Sequence, residues 1–408
     1  MSMLGDQFTI IATPWLVLKL TADPFSVGTT VALSAGQRLL FLLVGGTLVD
    51  QYSPKTVLLI ARYVNTIVLG TFACLVLSGN VNLWEVYVFA LATGTTSAFS
   101  YPASRSIVPQ IVAVDQIQVA NSIMDALRQI AMIAAPVVAG LLIATLGDGR
   151  IEGTQLNARG LGVAYLFDAF TFVVSSLTLL QVSIRSRDTA ADKGVRPSLL
   201  KLLSEGIRYC WSNLALRALL LYAVMINLCV NGPVTVAIPV LALEKGRSVA
   251  SLGVLTSAYA AGMLIGIVSA GFFPKMVERR LGTFILSIDF IVGLMLIPMG
   301  YIVSVWQGGI LLFIIGTLAG FMQVAVPSWL QKIAIGSMIG RVLSLFMLVP
   351  SGIGPLSGLL SGWFMRSVTV AQLFVGAGIL LSGIALLFWV ASPFRRILDA
   401  AGSPNFAR

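Results

Sequence analysis

The sequence predicts an all-α membrane protein, with twelve transmembrane helices built as two pseudo-symmetric six-helix bundles. Three observations lead there. Hydrophobic residues make up 57% of the 408 positions and charged residues 10%, far more apolar than a soluble domain of this length. The apolar residues gather into twelve runs, each near the ~20 residues that carry a helix across a ~30 Å hydrocarbon core. Finally, the chain repeats itself at an offset of 225 positions: Ala12, Pro14, Leu16, Leu18, Ser26 and Gly28 return as Ala237, Pro239, Leu241, Leu243, Ser251 and Gly253. The same offset pairs Gly46 with Gly271 and Pro102 with Pro327. Internal symmetry of this kind belongs to membrane proteins assembled from parallel repeats about an axis along the bilayer normal.

In chain order the segments run approximately 2–20, 27–49, 56–78, 83–104, 118–146, 161–183, 217–243, 250–273, 281–304, 307–330, 342–365 and 369–391. Helices are expected because the runs are too long for barrel strands and lack two-residue alternation. The stretch Leu4 to Gly28, LGDQFTIIATPWLVLKLTADPFSVG, which holds most of the first segment, has an acid near its start, and Pro14 and its echo Pro239 are expected to bend their helices. Segment five carries Ala131, Ala135, Ala139 and Gly140, segment eight Gly262 and Gly266, and segment eleven Gly354, Gly358 and Gly362. Small residues at such spacing let helix backbones approach closely, which serves plain packing and equally the contact between bundles that rock.

The one long hydrophilic interruption, Arg185 to Arg217, divides the chain. Residues 1–184 form the N-terminal bundle, 185–216 a cytoplasmic linker, 217–392 the C-terminal bundle and 393–408 a cytoplasmic tail. In the linker Leu199, Leu203, Ile207 and Cys210 share a helical face while Lys201, Glu205 and Arg208 lie on others, the pattern of an amphipathic helix on the inner leaflet. Seventeen of the 26 Lys and Arg residues fall on one side of the membrane against six on the other, so the positive-inside rule places both termini in the cytoplasm.

Several function classes drop out. The net charge of +10 is spread over short loops and forms no aromatic-interleaved patch, so nucleic acid is not an expected partner. No histidine is present, which removes Ser-His-Asp catalysis, His-ligated metal and a histidine switch together. There is no GxxxxGK[ST] phosphate loop. Cys74, Cys210 and Cys229 have no metal or redox spacing and read as packing residues. Neither a cofactor nor an enzymatic activity is expected. No cleavable signal is expected ahead of the first segment.

Ionisable groups inside a bilayer cost at least a few kcal/mol each, so they are paired or face water. At 1.5 Å per residue, Asp6 lies about 22 Å below the outer end of segment one and Arg38 about 18 Å below the outer start of segment two. Asp125 and Arg128 lie about 10 and 15 Å in from the other side of segment five. All four fall in the inner half of the first bundle. One reading is a charge-balanced cluster lining a cavity, in which an acid exchanges its arginine for a proton or a substrate group. The plainer readings are that Asp125 and Arg128, three apart on one helix face, neutralise each other, and that Asp6 sits at the membrane surface. Asp168 and Asp289 read as packed polar contacts, and Lys19, Glu85 and Arg62 as side chains that snorkel to an interface. In segment seven Asn227 and Asn231 lie four apart on one face, Asn231 at the repeat position of Asp6, suited either to flank a central cavity or to bond between helices. Tyr222, Phe321, Met322 and Gln323 suit a bulky amphipathic ligand or simple packing.

After segment two the chain reads Gly46-Thr-Leu-Val-Asp50-Gln-Tyr-Ser-Pro-Lys55, which resembles the G-x-x-x-D-[RK]-x-G-[RK]-[RK] loop of the major facilitator superfamily. Gln51 and Ser53 depart from it. The echo keeps Gly271, Arg279 and Arg280 with Lys275 in place of the acid. Ala131-xxx-Ala135-Pro136-xx-Ala139-Gly140 resembles a softened G-x-x-x-G-P-x-x-G-G signature of drug antiporters in that superfamily. With GGTLVD, YPASRSIVPQIV, LFDAFTF and EGIRYCWSNLALR, the stretch from residue 2 to about 390 is similar to the branch that includes enterobactin and macrolide efflux proteins.

That resemblance implies a secondary transporter working by alternating access, exporting a hydrophobic or amphipathic small molecule by proton-coupled antiport; the alternatives are a lipid or lysophospholipid translocator of the same fold and, from a different class, a membrane-embedded enzyme or a passive pore, against which the missing catalytic clusters and the internal repeat argue. It implies that Gly46, Asp50 and Lys55 form a cytoplasmic gate, with Asp50 as its latch, and that Ala135, Pro136, Ala139 and Gly140 form an antiporter-like contact. Asp50 reads otherwise as a plain helix cap. Segment four lacks the Arg-x-x-x-Gly of some proton antiporters, and the start at Gly5-Asp6 is shorter than in relatives. The expected partners are a small-molecule substrate, protons and membrane lipids, for a chain acting as a monomer in the cell membrane.

Overall fold

Proline and asparagine set several of the helix starts. Pro24 and Pro54 open their helices where a missing N–H costs nothing, and the Asn213 side chain accepts from the amides of Ala215 and Leu216 at 3.0 and 3.2 Å. The computed structural model describes residues 2–152, 155–182, 199–246, 248–272, 280–334, 338–390, 394–395 and 398. Linker residues 185–198, most of the tail, Lys275 and Arg279 lie outside the described residues.

The helices are α1 (Ser2–Thr21), α2 (Pro24–Gln51), α3 (Pro54–Leu77), α4 (Leu83–Ser106), α5 (Ile117–Leu146), α6 (Arg159–Gln181), α7 (Leu199–Ser212), α8 (Leu214–Gly232), α9 (Val249–Ala270), α10 (Leu281–Met299), α11 (Val305–Ile333), α12 (Ile339–Phe364) and α13 (Val370–Val390). Beyond Gly232, α8 runs on through π-helical turns at Pro233–Ala237 and Ala242–Gly246, with Pro239 in the α-helical turn Ile238–Leu241 between them. Among the described residues nine of these helices are long and apolar enough to cross a membrane. α1, α2 and α4 have the length but fall outside that set. They carry Asp6, Arg38, Glu85 and Arg105.

The duplication is visible in the elements themselves. α1 ends at Thr21 and the corresponding run ends at Gly246, while α2 starts at Pro24 and α9 at Val249, both separated by the offset of 225 seen in the sequence. Pro14 leaves α1 continuous, whereas its echo Pro239 sits in a helix loosened on both sides.

The chain divides into two units, Met1–Val195 with Pro239–Ser257, and Arg196–Ile238 with Ala258–Arg408. In the first, α2 lies along α4, α3 along α6 and α4, and α1 against α5 and α6. Its centre is aromatic: Phe72 stacks on Phe89 at 4.1 Å, and Tyr165 meets both edge-on. In the second, α10 lies along α13 and α8 along α12. The amphipathic α7 packs on α8 and α12, held by an ion pair of 2.7 Å between Glu205 and Arg341. Cys210 joins the core of that unit beside Leu216, Leu281, Trp329 and Phe394, while Ile207 stays exposed.

One short hairpin departs from an all-helical chain. Gly147 and Gly149, with φ of +128° and +89°, turn the chain out of α5 into strands β1 (Arg150–Glu152) and β2 (Gln155–Asn157). Trp15 donates its indole N–H to the Asp148 carbonyl at 2.8 Å, and the Lys19 ammonium lies over the Trp15 ring.

Candidate functional site

Polar side chains of the first unit converge on α1. Its packed stripe is Gly5, Phe8, Ile11, Ala12 and Trp15, and Asp6 stands off that stripe, exposed. Four helices supply the site. The charges of Arg128 on α5 and Arg62 on α3 act on Asp6, and so does the carboxylate of Asp168 on α6. Thr9 donates to Asp168 Oδ2 at 2.5 Å and Thr171 donates to its backbone carbonyl at 2.8 Å, so Asp168 is a packed polar contact. Two turns above Asp6, Thr13 and Tyr165 share a hydrogen bond of 3.0 Å. A Cβ on Gly5 would collide with the carboxylate of Asp168 and the hydroxyl of Thr171; glycine is what lets the α6 acid reach α1.

Arg62 is the residue that the sequence reading missed. It does not snorkel: its guanidinium donates to the Ser175 carbonyl of α6 at 2.6 Å, which ties α3 to α6 and holds the charge where it acts on Asp6. Its position near a helix start gave no hint of that partner.

The other membrane charges separate. Asp125 does not neutralise Arg128; it pairs with Arg105 of α4 at 3.7 Å, both side chains about half exposed. Helical spacing allowed the first pairing, but α4 brings a second cation to the same face. Arg38 is exposed with its guanidinium over the Tyr101 ring at 4.8 Å. Glu85 accepts from the Asn82 amide at 2.9 Å and so caps α4.

In the second unit the asparagines bond within their own helix. Asn227 donates to the Ala223 carbonyl at 2.8 Å and Asn231 donates to Asn227 Oδ1 at 2.6 Å. The link between helices is Ser357 of α12, which accepts from the Gly232 amide at 2.8 Å and donates to the Leu228 carbonyl at 2.7 Å.

Two motifs remain. Gly46 and Asp50 lie in α2, and their side chains are outside the described residues. Lys55 donates to the carbonyls of Leu180 and Val182 at 3.0 and 2.7 Å, closing the C-terminus of α6. Ala135, Pro136, Ala139 and Gly140 are all buried. A Cβ on Gly140 would meet the Val249 carbonyl at 2.9 Å, and one on Gly253 would strike the Pro136 carbonyl, so α5 and the start of α9 touch backbone to backbone.

An acid in the field of two arginines from different helices feels a different balance of charge when a helix moves, and so can take up or release a proton or a cationic group. Known proteins agree with a transport fold. The chain is 25% identical over 384 residues to the enterobactin exporter EntS of Salmonella typhimurium, covering 92% of this chain and 86% of that one. It is 24% identical over 372 residues to the multidrug efflux pump Tap of Mycobacterium tuberculosis, covering 89% and 84%. A crystal structure of the nucleoside transporter NupG superposes with a TM-score of 0.69 at 13% identity, covering 98% of this chain and 96% of that one. The family model of the Major Facilitator Superfamily matches residues 1–358. The chain belongs to the Major Facilitator Superfamily and is a multi-pass membrane transporter, not an enzyme.

Proposed function

We propose that this transporter exports a hydrophobic or amphipathic small molecule by alternating access, in exchange for protons. The observation that carries the reading is Asp6, one acid standing off the packed face of α1 within the field of Arg62 and Arg128. When α3 or α5 shifts, the carboxylate loses a cation and gains a proton; when they return, the proton leaves. The two export proteins similar to this chain support the direction. With the basic residues inside, both termini are cytoplasmic, Asp50 latches that side, and the chain works as a monomer among lipids.

The test is efflux from proteoliposomes driven by a pH gradient, using a panel of dyes and antibiotics. Wild type is expected to concentrate substrate against its gradient, and Asp6→Asn to lose that ability while still folding and equilibrating substrate. Undiminished gradient-driven efflux in Asp6→Asn removes Asp6 from the mechanism.

A further inference from the structure

Asp289 is an acid within α10 that forms no ion pair among the described residues and has the Tyr222 hydroxyl as its polar neighbour. It sits eight residues into α10, about 12 Å from the Leu281 end and 15 Å from the Met299 end at 1.5 Å per residue. The hydroxyl of the fully buried Tyr222 on α8 faces the Asp289 carboxyl and acts on it without reaching good hydrogen-bond geometry, and neither that hydroxyl nor the covered Oδ2 has another partner among the described residues. Asp168 in the first unit is different: Thr9 and Thr171 hold it.

Among the described residues no cation forms an ion pair with Asp289; Arg280 stands at the N-cap of α10, nine residues before it. α10 has no other charged residue, and α13, which lies along it, has none. α11 offers only Lys332 in its last turn. On α8 the titratable groups are Arg217 in the first turn, Tyr222 and Cys229. From the C-terminal segment Arg395 lies over the Trp389 ring at 5.1 Å. An unpaired carboxylate at this depth costs at least a few kcal/mol. Groups so placed are kept neutral or meet a cation during function.

We propose that Asp289, with Tyr222, is a proton-binding site of the second unit, separate from Asp6. The carboxyl holds a proton on an oxygen and releases it toward the membrane end where α8 and α10 begin. The Tyr222 hydroxyl, which has no other acceptor, then donates to the carboxylate, and rebinding of a proton reverses both changes. The inference deepens the antiport reading and rests on it only for the statement that this proton moves with turnover.

The experiment uses the full chain in liposomes and infrared difference spectra across a pH titration. Asp289→Asn is expected to lose one protonated-carboxyl band that Asp6→Asn keeps, and Tyr222→Phe to keep that band with a shifted midpoint. Asp289→Asn should also lose gradient-driven efflux, while Asp289→Glu restores both readouts in part. An Asp289→Asn spectrum identical to wild type overturns the site, as does a band that follows sodium concentration at fixed pH. A band that maps to Asp289 in a protein whose efflux ignores the pH gradient upholds the site and sinks the antiport reading instead.

Discussion

Gly140 of α5 lies against Gly253 at the start of α9, close enough that a Cβ on Gly140 would come within 3.3 Å of the Gly253 Cα. Neither position has room for a side chain. Gly253→Leu is expected to force the helices apart at a cost of about 1–3 kcal/mol. It should lower the melting temperature and cut transport together, with Gly253→Ala intermediate. Equal melting temperatures for wild type and Gly253→Leu would mean that the contact is not formed in the membrane.

Arg62 holds its charge by donating to the Ser175 carbonyl. Losing a hydrogen bond from a charged donor costs about 1.5–3 kcal/mol, so Arg62→Gln should reduce gradient-driven efflux strongly. Arg62→Lys keeps the charge and should retain part of it. A Gln variant that transports like wild type makes Arg62 a strut and nothing more.

Asp125 should matter little. Its pair with Arg105 is exposed, and exposed pairs contribute about 0–1 kcal/mol. Asp125→Asn is expected to transport nearly as well as wild type, in contrast to Asp6→Asn. Loss of efflux in both would restore a four-charge cluster around the cavity.

Glu205 of α7 and Arg341 of α12 form an ion pair of 2.7 Å, partly exposed at both ends. Removing either partner should cost about 1 kcal/mol of stability, discounted for solvent screening. The swapped pair Glu205→Arg with Arg341→Glu should recover some of it in a double-mutant cycle. Strict additivity of the two single variants would deny the interaction.

Burial pushes the Cys210 thiol up from its ordinary value, so at neutral pH it is protonated as well as covered. Alkylation by a small maleimide should therefore be slow for Cys210, rise with pH, and jump on unfolding. Mass spectrometry of tryptic fragments reads this directly. Rapid labelling at pH 7 would place α7 away from the core of its unit.

Most of the scaffold was legible because a bilayer writes its thickness into the sequence: the apolar runs match α1–α6 and α8–α13 closely, and the repeat offset matches the helix ends at Thr21 and Gly246. Partners across helices were not legible. Nothing near Asp125 in the sequence names Arg105, and nothing near Lys55 names the end of α6, because contacts 20 or 127 residues apart are fixed by how helices rotate about their axes. Asn227 and Asn231 were ambiguous for the opposite reason, since a bond four residues along one helix and a bond to a neighbour demand the same spacing. The π turns around Pro239 escaped notice too; hydropathy records how apolar a helix is and not how tightly it is wound.

The loosened run from Pro233 to Gly246 begins one residue past the point where Ser357 clasps Gly232 and Leu228. A coil with spare residues above a fastened rung can change its winding there without letting go below. Any swivel of this segment accordingly has its fulcrum at Gly232, and filling the slack, by deleting one residue from Pro233–Ala237, would lock the joint.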